Sequence, residues 1–263
     1  MTPKKQCVII NPNAGSADKV EQGLDALGPH TVFHTERPSD SGRFAREAAE
    51  QGYERIIAAG GDGTLNDVLN GLQGHVDRVE MGLIPLGTAN DFARSAFIPE
   101  EIDQAIEVIR AGRATPVDIV QLTTCTKPQP HYFINVSAGG FSTLVDDQLD
   151  EDTKSFWGPL SYALSAVKAL PDLEVYHVTI KIGDEPAEKV EIYNIVVANA
   201  RYVGGHIPVA PKANLADGLM DLILFRAVPL TRLATLVPRA MLGQHADDDD
   251  VLYRQVRRLE ISS

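Results

Sequence analysis

Up to about residue 118 the chain alternates short apolar runs with stretches in which apolar side chains recur at helical spacing. The runs Gln6 to Asn11, His30 to Thr35, Arg55 to Ala59 and Val79 to Ile84 read as buried strands. Helical patterns lie between and after them at 16–27, 40–51, 64–73 and 100–111. Ser16, Asp40 and Thr64 open three of these, and turns such as Gly28-Pro29 and Gly112 close them. Strand–helix–strand repeats of this length predict a parallel sheet with helices on both faces. From about residue 119 the pattern changes to longer β-branched or alternating runs at 117–123, 131–138, 174–182, 189–199 and 219–226. Only 158–170 and 229–242 read as helical there. The expectation is an α/β domain over 1–118, followed by a mostly antiparallel β domain over 119–263. Asp247-Asp248-Asp249-Asp250 reads as an exposed, solvated loop, and the chain has no internal repeats.

Composition narrows the function classes. With 263 residues, 44% of them hydrophobic, the chain has material for one large or two small cores. No run approaches the roughly eighteen apolar residues of a membrane span, and MTPKKQCVII lacks the apolar core of a signal peptide. Cys7 falls in a strand and Cys125 in a loop, without metal-like spacing, so a reduced, cytoplasmic protein is expected. A formal charge of −12 argues against nucleic acid as a partner and gives no broad attraction to an anionic membrane. Any basic site must be a local pocket.

Candidate chemistry gathers where the predicted strands end. Ligands of doubly wound sheets bind at the carboxyl ends of the strands. Three loops fall there: Asn11-Pro12-Asn13-Ala14-Gly15-Ser16, Gly60-Gly61-Asp62-Gly63-Thr64-Leu65-Asn66, and Pro85-Leu86-Gly87-Thr88-Ala89-Asn90-Asp91. Asn, Pro and Gly also make ordinary turns, but two of these loops pair Gly-Thr with an aspartate. Backbone N–H groups and the Thr64 and Thr88 hydroxyls suit phosphate oxygens. Asp62 and Asp91 would repel phosphate unless a cation lies between, which points to Mg²⁺. Neither GxxxxGK[ST] nor GxGxxG occurs, so the usual P-loop and dinucleotide fingerprints are excluded. The residues alone reach a metal–nucleotide site.

Together, N-P-x-A-G at 11–15, G-G-D-G-T-L-N at 60–66 and P-L-G-T-A-N-D-F-A-R at 85–94 resemble the diacylglycerol kinase catalytic-domain family. The chain looks most like the bacterial soluble lipid kinases of the YegS type. The likeness continues through Asn135 to Phe141, Asn199 to Gly205 and Ala216 to Asp221. It implies a nucleotide-binding α/β domain joined to a C-terminal β-sandwich. It also implies transfer of the γ-phosphate of ATP, with Mg²⁺, to the hydroxyl of diacylglycerol or a related lipid in phospholipid metabolism. Position by position, it assigns ATP to Asn11, Pro12, Asn13, Ala14, Gly15, Thr35 and Thr88, and to Gly60, Gly61, Asp62, Gly63, Thr64, Leu65, Asn66 and Asp67. Asp62 and Asp91 fall at its catalytic metal and phosphate network. Asn214, Asp217 and Leu219 fall at a second, structural Mg²⁺ site, with Asn214 and Leu219 acting through carbonyls. Asp67 stands where the family has glutamate. The resemblance further implies a cytoplasmic enzyme in transient contact with a membrane surface, and it leaves room for a homodimer.

Other features have plainer expectations. His206 reads as a polar loop histidine, and Trp157, Leu160, Leu164 and Val167 as a core-facing helical stripe. Leu230, Leu233, Val237 and Met241 read as a helix face packed on the sandwich, with Pro229 in the first turn. Arg257 and Arg258 suit an exposed strand edge. The family pattern continues into a D-G-E segment carrying a general base, and this sequence ends before one. Two alternatives therefore stand beside the lipid kinase. GGDGT is shared with NAD kinases, against which the run Pro85 to Arg94 counts. A catalytically impaired homologue that binds ATP or lipid is the other.

Overall fold

The structure, a computed structural model, describes residues 4–15, 17–126, 128–140 and 173–263. Contacts divide the chain into two units, Met1–Ile134 and Asn135–Ser263.

In the first unit the apolar runs become strands β1 (Gln6–Ile10), β2 (Thr31–His34), β3 (Arg55–Gly60) and β4 (Glu80–Pro85). They form a parallel sheet in the order β2-β1-β3-β4. All five residues of β1 are buried, as expected of a strand covered on both faces. Val8, Ile10, Ile57, Ala59 and Ile84 pack with Val20 of α1 (Ala17–Gly23), Leu24 of the following 3₁₀ turn (Leu24–Leu27), and Ile106 and Ile109 of α5 (Ile102–Ala111). Helices α2 (Asp40–Glu50) and α3 (Asp62–Gly71) pack on β1 and β3 and on each other. Their backbones almost touch. A Cβ placed on Gly71 would lie 2.0 Å from the Gly42 carbonyl oxygen, so only glycine allows the crossing.

The short α4 (Asp91–Ser95) follows β4, and a two-stranded antiparallel hairpin, β5 (Val120–Leu122) with β6 (His131–Phe133), completes this unit. Asn70 of α3 fastens the hairpin: its Oδ1 accepts the Tyr132 N–H at 2.9 Å, and its Nδ2 donates to the Tyr132 carbonyl at 2.8 Å. With this stitching the hairpin belongs to the first contact unit, which runs to Ile134. The single run expected at 131–138 is accordingly two strands in different sheets, β6 and β7 (Val136–Gly140).

The second unit is an antiparallel sheet built around β9 (Glu188–Ala198). One edge of β9 pairs first with β8 (Tyr176–Ile182) and then with β7; the other pairs with β10 (Met220–Arg226). β11 (Val251–Val256) lies beyond β10, and β12 (Leu259–Ser262) beyond β8. Helix α6 (Leu230–Met241) packs Leu233, Leu236 and Val237 against Val196, Ala198, Ile223 and Val251, as the sequence led us to expect. Leu230, at its start, is exposed. The stripe from Trp157 to Val167 and the helix expected at 158–170 lie outside the described residues.

One expectation is overturned. The four aspartates at 247–250 are not simply a solvated loop. Asp248 is buried and accepts hydrogen bonds from Arg232 (2.6 Å) and Arg239 of α6 and from the Asp250 N–H (3.1 Å). Asp250 pairs with Arg232 at 2.5 Å, and Asp247 pairs with Lys212 at 2.6 Å. Burial pushes the Asp248 carboxyl up, but these backbone and arginine hydrogen bonds outweigh it and hold the group below its usual range. The run anchors the α6–β11 connection.

Candidate active site

Each strand of the parallel sheet hands its chain to the same edge. After β1, Asn11 folds its own loop: its Oδ1 accepts the Asn13 N–H at 3.0 Å, and its carbonyl accepts the Ala14 N–H at 3.1 Å. After β2, Thr35 is buried and donates its N–H to the Ile10 carbonyl at 3.0 Å. After β3 and β4 the two glycine loops meet. A Cβ on Gly87 would lie 2.7 Å from the Gly61 Cα, and one on Gly60 would lie 2.3 Å from the Thr64 hydroxyl. The glycines here answer to close approach between the loops.

Asp62 opens α3, and its carboxylate crosses to the next loop. Oδ2 accepts the Asp91 N–H at 3.0 Å and Oδ1 the Phe92 N–H at 2.9 Å, supplying acceptors for unpaired donors at the start of α4. Asn90 precedes them in the left-handed region (φ 49°) and accepts the Gly87 N–H on its Oδ1 at 2.9 Å. Asp91 itself is buried, and its carbonyl accepts the Ser95 hydroxyl at 3.0 Å.

These loops border a cavity of about 550 Å³. Of the residues singled out in the sequence, Asn11, Asn13, Ala14, Gly15 and Thr35 line it from the β1 and β2 ends. Gly61, Gly63, Thr64, Asp67 and Thr88 line it from the β3 and β4 ends. Pro12, Gly60, Asp62, Leu65, Asn66 and Asp91 do not line it; Leu65 is a core residue, and Asp62 braces the wall. Burial raises the Asp67 carboxyl, partly opposed by His131.

One wall was missed in the sequence. Residues Glu36 to Ser39 and Ser41 also border the cavity. Asp40 shapes that loop: its Oδ2 accepts the N–H groups of Glu36 and Arg37, both at 3.0 Å, and its Oδ1 accepts Arg43 at 2.9 Å. The Glu36 backbone bond first, and then Arg43, hold its carboxyl down to about 2. Asp40 thus binds backward into the preceding loop, whereas a helix-opening aspartate is ordinarily read as capping the helix that follows it.

The expected structural metal loop lies in the second unit. Asn214 Oδ1 accepts the Ala216 N–H at 3.2 Å, and Asp217 Oδ1 accepts the Leu219 N–H at 3.0 Å. Nearby Asp221 is buried and takes the Tyr253 hydroxyl at 2.6 Å. Burial raises its carboxyl, and the charge of Asp217 raises it further. Among the described residues, no group of three or more His, Cys, Asp or Glu side chains is arranged to hold a metal unaided. His206 (φ 83°) sits in the turn closed by Val203 and Ile207, and exposed Arg258 pairs with Glu260 at 2.6 Å.

The family model described as "Diacylglycerol kinase catalytic domain" matches residues 5–122, and "YegS C-terminal NAD kinase beta sandwich-like domain" matches residues 135–263. A diacylglycerol kinase of Staphylococcus saprophyticus is 33% identical over 99% of this chain and 85% of its own length. This chain belongs to the diacylglycerol kinase family. A second family member, a diacylglycerol kinase of Bacillus subtilis, is 34% identical over 98% of this chain and 86% of its own length. The crystal structure of a Bacillus anthracis diacylglycerol kinase superposes with a TM-score of 0.79 at 22% identity. It covers 100% of this chain and 87% of the other, a likeness of fold. The α/β unit followed by an antiparallel β unit is thus the family's own architecture. Among the described residues no helix is long and apolar enough to cross a membrane.

Proposed function

We propose that this kinase transfers the γ-phosphate of ATP, as its magnesium complex, to the hydroxyl of a diacylglycerol-like lipid. The observation that carries the reading is the Asp62 carboxylate bound to the N–H groups of Asp91 and Phe92. It ties the Gly60–Thr64 turn to the Gly87–Asp91 turn beside one cavity. Phosphoryl transfer asks mainly for positioning and charge neutralisation, which two braced, glycine-rich turns supply.

In this reading the nucleotide lies along the strand ends, its phosphates toward the N-terminus of α3 and the Thr64 and Thr88 hydroxyls. Asn11 to Gly15 and Thr35 form the far wall. Mg²⁺ fits the donor set, since magnesium commonly takes one or two carboxylates and completes its shell with water and substrate phosphates. Asp62 would offer one, each of its oxygens keeping acceptor capacity beyond its N–H bond, and buried Asp91, which like Asp62 does not line the cavity, would be the second, directly or through water. When bound, the ion would neutralise phosphate charge that these aspartates otherwise repel. A second Mg²⁺ suits Asp217 and the carbonyls of Asn214 and Leu219, where a cation would relieve the neighbouring carboxyls of Asp217 and Asp221. The lipid acceptor implies transient contact with a membrane surface and a role in phospholipid metabolism.

The test is transfer of labelled γ-phosphate in the presence of magnesium and diacylglycerol vesicles. Label in an organic-extractable phosphatidic acid supports the reading. Label in NADP assigns the NAD kinase alternative, and label in neither defeats both.

A further inference from the structure

The apolar segment Ala96-Phe97-Ile98-Pro99 follows α4 directly, and the phosphoryl-transfer chemistry makes no use of it. Phe97 is 83% exposed, more than any other large exposed hydrophobic among the described residues. Its backbone is left-handed, with φ at 56°. The Phe97 N–H donates to the Arg94 carbonyl at 3.2 Å and the Ile98 N–H to the Ala93 carbonyl at 2.8 Å. That pair of bonds closes α4 with a Schellman turn, in which Phe97 holds the position that favours glycine. A side chain there crowds its own backbone.

Two unfavourable choices therefore coincide at one residue. A bulky ring stands in water, on a backbone that glycine would occupy more comfortably. Of the four non-glycine residues with positive φ among those described (Ser39, Asn90, Phe97 and His206), only Phe97 is a large apolar one. Neither folding nor solubility accounts for it, and strain held at such a point suggests function.

Position and charge indicate the partner. Phe97 follows α4 at the end opposite Asp91, whose N–H the Asp62 carboxylate holds. At 1.5 Å rise per residue the two lie about 9 Å apart along the helix direction. Electrostatics offer this region no hold on a membrane. Exposed Arg94 is paired with Glu100 at 3.1 Å, Glu101 and Asp103 follow, and the chain carries a formal charge of −12. An apolar anchor remains, and aromatic rings serve that purpose at bilayer interfaces.

We propose that Phe97 is a lipid-surface anchor that inserts among the acyl chains of an uncharged bilayer. It would hold Asp62 and Asp91 close to a membrane-borne acceptor, so the proposal rests on the lipid-kinase reading.

Phe97→Gly tests it. Glycine accepts the left-handed turn, so the melting temperature should stay the same or rise. Partition onto phosphatidylcholine vesicles containing diacylglycerol should fall roughly fivefold or more, as expected for loss of a buried ring. The ratio of turnover on those vesicles to turnover on a monomeric short-chain diacylglycerol should fall with it. Phe97→Trp should retain partition and shift its fluorescence to the blue on vesicles. Wild-type partition by Phe97→Gly, or no shift in Phe97→Trp, overturns the anchor. So does a halving of molecular mass in Phe97→Gly, which would assign the ring to a second copy of the chain. Partition is read without turnover. A chain that binds vesicles through Phe97 but phosphorylates no lipid upholds the anchor and defeats the kinase reading. Lipid phosphorylation undisturbed by Phe97→Gly does the reverse.

Discussion

Asp62 accepts the backbone N–H of Asp91 at 3.0 Å, so the aspartate that opens α3 also fixes where α4 begins. Its second oxygen takes the Phe92 N–H. One side chain thus has a structural duty and a proposed chemical one.

The two duties separate by substitution. Asp62→Ala strips both acceptors and should destabilise the chain by about 2 kcal/mol, the scale of a lost charged cap. Asp62→Asn keeps one acceptor oxygen and should lose less stability, while removing the charge proposed to face magnesium. Thermal melts paired with phosphate-transfer assays read both. Full activity in Asp62→Asn would remove Asp62 from the chemistry and leave it a brace.

Asp248 makes a prediction that the sequence alone would not have suggested. Asp248→Asn keeps the shape but leaves Arg232 and Arg239 without their shared anion. The arginines are partly exposed, which moderates the loss. A drop of about 2 kcal/mol in a denaturant titration is expected, against almost none for Asp249→Asn. Equal effects at the two positions would mean that the run is solvated after all.

These cases mark what could be read from the chain. β1 and β3 were legible because a strand covered on both faces is a near-continuous apolar run, here Cys7 to Ile10 and Ile56 to Ala59. The glycine turns were legible because two backbones that nearly touch leave room for nothing else, as at Gly61 and Gly87. Asp248 was not legible, because four acidic residues look solvated until α6 brings its arginines across. The hairpin's attachment was hidden similarly. It depends on Asn70 reaching Tyr132, 62 positions away, and no local pattern records such a contact. The Glu36–Ser39 wall was hidden by its ordinary turn composition, and Asp40 shapes it by accepting N–H groups that precede the helix it opens.

His245 should make stability depend on pH. It is fully buried between Phe225, with ring centroids 5.5 Å apart, and Tyr253. Its Nε2 meets the Val209 carbonyl at 2.9 Å, while Nδ1 has no hydrogen-bond partner. Burial chiefly lowers its pKa from 6.5; the Val209 bond opposes, Arg239 lowers it further, and Asp248 raises it. Below 6.5 the unfolded chain binds a proton that the folded chain refuses, so the contribution to stability is full above 6.5 and is lost as pH falls toward the folded value. The slope from this one group is at most about 1.4 kcal/mol per pH unit. Melting curves between pH 7.5 and 5 should show it, and His245→Phe should flatten it. A slope unchanged by that substitution would assign the pH dependence to other groups.

The last prediction concerns magnesium at the second unit. Asp217 uses one oxygen on the Leu219 N–H, and its charge disfavours ionisation of buried Asp221. A cation held by Asp217 and the proposed carbonyls would offset that repulsion, so magnesium should raise the melting temperature of the nucleotide-free protein. The gain should grow with concentration, reaching about 2.7 kcal/mol at a hundred times the dissociation constant. Asp217→Asn removes the ligand charge and the repulsion together. The variant should therefore match or exceed the wild type in chelator and gain little from added magnesium. Calcium, with its longer bonds and larger shell, provides a comparison. A magnesium shift of equal size in Asp217→Asn would show that the stabilising ion binds elsewhere. The same titration on Asp62→Asn would then ask whether the first unit holds it.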